Sequence, residues 1–320
     1  MMLAPRRIKR WLRAWAARWL LPGLVAAFAL LFPPLTFAVN TCTVAAGVHA
    51  FGAYDTINPT SGTSSITVTC SHSTPPSFTF NYTIALSSGS GSYAARQMTS
   101  AGDTLNFNHY TTSAHTTVWG DGTGGTATIS GSLTVGGSAG NSGSKVETVY
   151  GLIGAAQNVT PASFTTLLPI TVTVSGNFTG SSTTFTTTAS VAAQCNVSAP
   201  NLSFGAVNPL SSQVDATTTL TVNCTKNSPY TVGLDAGVTT GTTIAQRLMA
   251  NGTNTMQYNL YTNSARSNIW GNSSGSWVSG TGAGLAIAQT LTVFGRVASG
   301  QTNLAVGNYQ ENTITMTVTY

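Results

Sequence analysis

The stretch Phe78-Thr79-Phe80-Asn81-Tyr82-Thr83-Ile84-Ala85-Leu86 places a large apolar side chain at every second position and a small or polar one between. Successive side chains of an extended strand point to opposite faces, so this pattern buries one face and wets the other. The same period returns at Ile170, Val172 and Val174 against Thr171, Thr173 and Ser175, and at Ile314, Met316, Val318 and Tyr320 against Thr315, Thr317 and Thr319. Gly, Ser and Asn clusters separate the short strands, and no long helical period follows residue 38. The chain is therefore expected to be all-β, a sandwich or barrel and not a helical or α/β domain. Threonine, serine and asparagine supply the wet faces in place of charge, which leaves strand edges without charged guards.

The sequence also carries one unit twice. Phe51-Gly52-Ala53 matches Phe204-Gly205-Ala206, and the run ending in Cys70 matches the run ending in Cys224. In the same order, Arg96-Gln97-Met98 falls on Arg247-Leu248-Met249, Phe107-Asn108-His109-Tyr110 on Tyr258-Asn259-Leu260-Tyr261, and Trp119-Gly120 on Trp270-Gly271. Val149-Tyr150-Gly151 then meets Val293-Phe294-Gly295, and Ile170–Val174 meets Ile314–Val318. Two copies are too few for a solenoid and indicate tandem homologous domains, joined near residues 179–193. A length of 320 residues agrees with two domains.

Of 12 basic residues six lie within the first twenty positions, so the formal charge of +5 belongs to the N-terminus. The rest of the chain, six basic residues against seven acidic, carries about −1, which removes the motive for nucleic-acid or anionic-membrane binding. Arg6 to Arg18 form a basic region, Leu20 to Phe32 an apolar run, and Thr36-Phe37-Ala38 a small-residue cleavage site. Residues 1–38 are thus expected to be a secretory signal cut after Ala38; an uncleaved anchor is the competing reading, interrupted by Pro22, Pro33 and Pro34. Export suits the four cysteines, Cys42, Cys70, Cys195 and Cys224, spaced 28 and 29 apart within each half. Three pairings are possible, and the spacing favours one bridge per copy. No two lie at the short spacing by which one loop supplies two zinc ligands.

The strand from Ile314 to Tyr320 runs to the last residue, with nothing after it to cover its neighbourhood, so the second domain is expected to be incomplete. Before Cys195, in contrast, stands Thr183-Thr184-Phe185-Thr186-Thr187-Thr188-Ala189-Ser190-Val191, where Phe185, Thr187, Ala189 and Val191 share one face. Nothing comparable precedes Cys42.

These elements together, with Gly307-Asn308-Tyr309-Gln310-Glu311 before the terminal strand, resemble the spore coat protein U domain family, which also supplies subunits of archaic chaperone-usher pili. The likeness covers both copies and is sharper in the second; in the first, His109 replaces the Leu260 of the second, and about seven extra residues lie between Trp119 and Tyr150. The resemblance implies two tandem immunoglobulin-like, pilin-type sandwiches, residues 39–178 and 194–320, the second needing a donor strand. It implies a periplasmic chaperone, an outer-membrane usher and the next pilus subunit as partners. Phe185, Thr187, Ala189 and Val191 are then a donor strand tethered to the first domain and completing it in cis, at a raised effective concentration. Ile314, Met316, Val318 and Tyr320 are the strand that pairs with subunit or chaperone. A subunit that accepts a strand and keeps its own is expected at a filament tip, outside the cell, mediating surface attachment and biofilm formation. The alternatives are a structural spore-coat or pilus-shaft protein, or a soluble carbohydrate-binding module.

No catalytic, metal or cofactor site is expected. Gly136-Gly137-Ser138-Ala139-Gly140 and Gly271-Asn272-Ser273-Ser274-Gly275 match the nucleophile-elbow pattern without its strand-to-helix context. Gly120-Asp121-Gly122-Thr123-Gly124-Gly125 leads into a strand-like run and not into a phosphate-binding helix. His49, His72, His109 and His115 are expected to be surface or half-buried polar residues, the competing reading being a metal site at His109 and His115. Trp119 and Trp270, at equivalent positions, are expected to pack rather than bind. Contact with an abiotic or host surface is sought where the copies differ, at Ile129, Leu133 and Val135 and at Phe164, Leu167 and Leu168, read either as apolar residues projecting from loop tips or, equally, as residues that continue strands or fill the core.

Overall fold

The computed structural model describes residues 40–138, 140–176, 178–207 and 211–320. The expected signal segment and its cleavage site lie outside these residues, as do Ala139 and Asn177. Among the described residues there is no helix.

Ten strands surround the first hydrophobic core: β1 (Thr41–Ala46), β2 (Val48–Ala53), β3 (Thr60–His72), β4 (Phe78–Leu86), β5 (Arg96–Ser100), β6 (Asp103–Tyr110), β7 (Ile129–Val135), β8 (Asn141–Ile153), β9 (Ala162–Val174) and β10 (Ser182–Val191). Hydrogen bonding runs in the order β1-β3-β8-β6-β5-β9-β10-β2, and β4 joins β7 to β9. Eight strands surround a second core: β11 (Cys195–Ser198), β12 (Val214–Cys224), β13 (Pro229–Leu234), β14 (Arg247–Asn251), β15 (Asn254–Tyr261), β16 (Val278–Thr281), β17 (Gln289–Val297) and β18 (Met316–Thr319). They form a sheet β11-β12-β17-β15-β14 and a smaller one β16-β13-β18. Strand by strand the second core repeats the first, except that β2 and β10 have no counterpart there among the described residues. The fold is two tandem β-sandwiches.

Local chemistry accounts for the strands. β-Branched threonine, valine and isoleucine fit a pleated surface, and their alternation sets which face is buried. In β4 the residues Phe80, Tyr82, Ile84 and Leu86 are all buried, while Thr79, Asn81 and Thr83 face outward. Each sandwich is stapled at its start: Cys42 faces Cys70 across β1 and β3, Cys195 faces Cys224 across β11 and β12, and both pairs are disulfides. A bridge closing a loop of this length contributes about 3–4 kcal/mol.

The Arg and Trp elements shared by the copies build a clamp. Arg96 is fully buried and donates to the carbonyls of Ser87 (3.0 Å) and Trp119 (2.6 Å) and to Asn108 Oδ1. Arg247 repeats this with Asp235 O (2.8 Å), Leu234 O (3.0 Å), Trp270 O (2.7 Å) and Asn259 Oδ1 (2.7 Å). Each tryptophan in turn donates its indole N–H to a strand carbonyl at 2.8 Å, Trp119 to Ile84 and Trp270 to Val232. Carbonyl oxygens, not carboxylates, receive each guanidinium. Burial lowers the pKa of Arg96 to about 10, so it remains charged at neutral pH, and it shifts Arg247 in the same direction.

Candidate functional site

The two sandwiches differ at one sheet edge. In the first, β10 pairs antiparallel with β9 from Ser182 opposite Thr171 to Val191 opposite Ala162. Its other side pairs in parallel with β2, Thr186 opposite Val48. Phe185, Thr187, Ala189 and Val191 all point inward and are buried. Phe185 meets Trp119 at 6.0 Å between ring centres and His109 at 5.0 Å. The segment before Cys195 is thus a core strand of the first sandwich.

In the second sandwich the place equivalent to β10 is open. Strand β18 pairs with β13 on one side, and no strand among the described residues pairs with its other edge. The residues 201–206, which match β2 in sequence, form no strand. A strand needs a partner for its backbone groups, and β2 has only β10. The consequence shows in the side chains: Phe51, Ile170, Val172 and Val174 are buried in the first domain, whereas Phe204, Ile314, Met316 and Val318 are only half-buried. Tyr320 lies beyond the strand and is exposed. The open edge therefore combines unpaired backbone groups with an alternating apolar row, which is what an incoming strand needs.

The apolar residues read from the sequence as surface loops are placed otherwise. Ile129, Leu133 and Val135 lie on β7 and Phe164, Leu167 and Leu168 on β9. Ile129, Val135, Phe164 and Leu168 are buried, and Leu133 packs against the core. Extra length in the first copy went into longer strands, whose period-two phase turns these residues inward. Leu167 alone is exposed, at 60%, and it is register-paired through Thr186 to Val48, exposed at 58%. The three form a short row on the outer face.

The histidines are a second correction. His49, His72 and His109 are buried. His72 bonds Asn40 Oδ1 (2.8 Å) and the Pro76 carbonyl (2.9 Å). His49 and His109 stand on β2 and β6 in the inward phase of Phe51 and Phe107, a signal that the strand pattern carries and residue type conceals. Gly120–Gly125 is a loop in which Gly122, Gly124 and Gly125 take positive φ. No group of three or more metal-ligating side chains occurs among the described residues.

The two domains touch through polar contacts. Lys226 Nζ lies 2.6 Å from Asp103 Oδ1, Asn227 donates to Thr160 Oγ1 (3.0 Å), and Asn158 donates to the Ala283 carbonyl (2.8 Å). Asp103 also accepts from the Thr160 amide, and with Lys226 this lowers its pKa to about 2.

No curated protein matches the sequence. Among solved structures, the CsuC-CsuE chaperone-tip adhesion subunit pre-assembly complex from archaic chaperone-usher Csu pili of Acinetobacter baumannii contains a chain of similar fold. The TM-score is 0.52 at 15% identity, over 88% of this chain and 100% of that one. The CupB6 tip adhesin from Pseudomonas aeruginosa aligns more loosely, at a TM-score of 0.34 and 7% identity over 88% of this chain and 94% of that one. The family model of the Spore Coat Protein U domain matches twice, over residues 29–171 and 181–318, so that nearly the whole length is accounted for and the chain belongs to the Spore Coat Protein U domain family.

Proposed function

We propose that this chain is a non-enzymatic pilus subunit that accepts a strand through its second domain and caps one end of a chaperone-usher filament. The observation that carries the reading is the contrast between the two edges: β10 fills the first, and the equivalent edge at β18 is open. By analogy with β10, the donor runs antiparallel to β18 and places alternate apolar side chains over Ile314, Met316 and Val318. A periplasmic chaperone fills the edge first and another subunit's extension replaces it, with an outer-membrane usher carrying the assembly out. Because the linker strand is consumed in the first domain, that domain is free to face outward and attach the cell to a surface, the role that would serve biofilm formation. The apolar row Val48, Thr186 and Leu167 on its outer face is the contact we assign to it in place of the buried candidates.

Immunogold electron microscopy of intact cells, with antibody against the first domain, tests the placement. Single particles at filament ends are expected. Label spaced along filaments would overturn the tip assignment in favour of a shaft subunit, and label spread over a coat would favour the structural coat protein.

A further inference from the structure

The first core contains a pair of histidines that its repeat does not use. His49 and His109 are both fully buried, with ring centres 4.8 Å apart. The second domain has Leu202 and Leu260 at the matching positions, so the fold does not require imidazole there. The match is geometric as well as sequential: a Cβ on Gly151 would lie 2.5 Å from the His49 ring, and one on the equivalent Gly295 would lie 2.4 Å from Leu202. Gly62, paired with Gly151 across β3 and β8, completes the floor under His49.

The surroundings are hostile to a proton. Both nitrogens of His49, and Nδ1 of His109, lack a hydrogen-bond partner. The remaining nitrogen, His109 Nε2, bonds Thr187 Oγ1 at 2.9 Å, on the strand that completes the domain. Phe51 on β2, Phe107 on β6 and Phe185 on β10 pack around the pair, β3 and β8 contribute glycine, and the charges that disfavour a proton on His109 are those of His49 itself and of Arg96 on β5. The Tyr150 backbone favours a proton on His109 without closing a hydrogen bond, and no carboxylate acts on either ring.

We propose that His49 and His109 form an acid-sensitive latch on β10: neutral imidazoles hold the strand in place, and protonating either loosens the first domain at that strand. The inference rests on the cis-strand geometry and not on the tip assignment. Burial lowers the pKa of His49 to about 4 and that of His109 well below the ordinary value, so the unfolded chain binds more protons once pH drops below about 6.5. The stabilising contribution is therefore complete above that pH and is lost as pH falls toward the folded values. Asp103 and Glu311, both lowered to about 2, are present in wild type and double variant alike, so their own acid dependence cancels in the comparison.

The test is urea unfolding of the full chain, wild type against H49L/H109L, at pH 7.5 and 4.5, with the shared second domain cancelling in the difference. The wild type is expected to lose at least about tenfold more of its folding equilibrium constant on acidification than the double variant. An equal loss in both proteins would overturn the latch. Should the double variant fail to fold, NMR titration of the wild-type imidazoles decides: His49 and His109 both still neutral at pH 5 support the proposal, and either of these two rings titrating near 6.5 in the folded protein contradicts it.

Discussion

The Nη2 of Arg96 donates to the Trp119 carbonyl at 2.6 Å, and Arg247 repeats the contact with Trp270 at 2.7 Å. In both copies one guanidinium ties the end of a strand, β4 or β13, to the loop carbonyl of the tryptophan, and the indole is buried in the same core. The shared Arg, Asn and Trp are thus architectural.

Substituting Arg96 by lysine is expected to destabilise the first domain by about 2–4 kcal/mol, because an ammonium cannot reproduce the planar fork and leaves buried carbonyls unpaired. Urea denaturation of the full chain against wild type, in a W270F/W277F background so that fluorescence reports Trp119, reads this directly. A loss below about 0.5 kcal/mol would show that the clamp is incidental.

Phe185→Asp places an unpaired carboxylate between Trp119, His109 and His49 and is expected to cost more than about 4 kcal/mol, enough to unfold the first domain. Thr184→Asp, on the exposed side of the same strand, is expected to change stability by less than about 0.5 kcal/mol. Thermal unfolding of the two variants side by side checks the phase of β10.

A peptide spanning residues 182–191 is expected to bind the open edge of the second domain when added to the full chain, and Met316→Asp is expected to abolish the binding. Isothermal titration calorimetry gives the affinity. Equal binding by wild type and variant would place the peptide elsewhere.

Leu167→Asp is expected to reduce attachment of piliated cells to an apolar surface with little effect on folding, since the side chain is exposed. Adhesion counts against wild-type cells with equal piliation measure it. Undiminished attachment would remove the strand row from the binding face.

The Asp103–Lys226 contact gives a weak pH dependence of its own. The folded pKa of Asp103, about 2, is below its ordinary value, so its contribution is present above pH 4 and is lost as pH falls through about 2. Both side chains are partly solvated, and D103N at pH 7 is expected to cost no more than about 1 kcal/mol while loosening the two domains. Small-angle scattering of D103N and wild type reports the loosening.

Much of this was legible in the sequence where local periodicity decides. The alternation of Phe80 to Leu86 and of Phe185 to Val191 gives strand and inward face directly, and the matched elements give two copies. What it concealed depends on partners. Phe204-Gly205-Ala206 matches Phe51-Gly52-Ala53 and yet forms no strand, because among the described residues it has no neighbour equivalent to β10 to pair with. The extra residues of the first copy look like loops when judged by insertion alone; β8 and β9 are each 13 residues long, against nine in β17 and four in β18, and the apolar residues simply follow the strand phase. His49 and His109 were hidden by the habit of their residue type, although Phe51 and Phe107 two positions away mark the same inward face.

The central claim, one edge filled in cis and its repeat open, is tested most directly by hydrogen exchange of the full chain followed residue by residue. The account predicts amides of 182–191 protected as strongly as those of β9, the amides of 314–320 that face away from β13 exchanging at least about 100-fold faster, and their protection on adding the 182–191 peptide. Rapid exchange throughout 182–191, or full protection of 314–320 with no donor present, would contradict it.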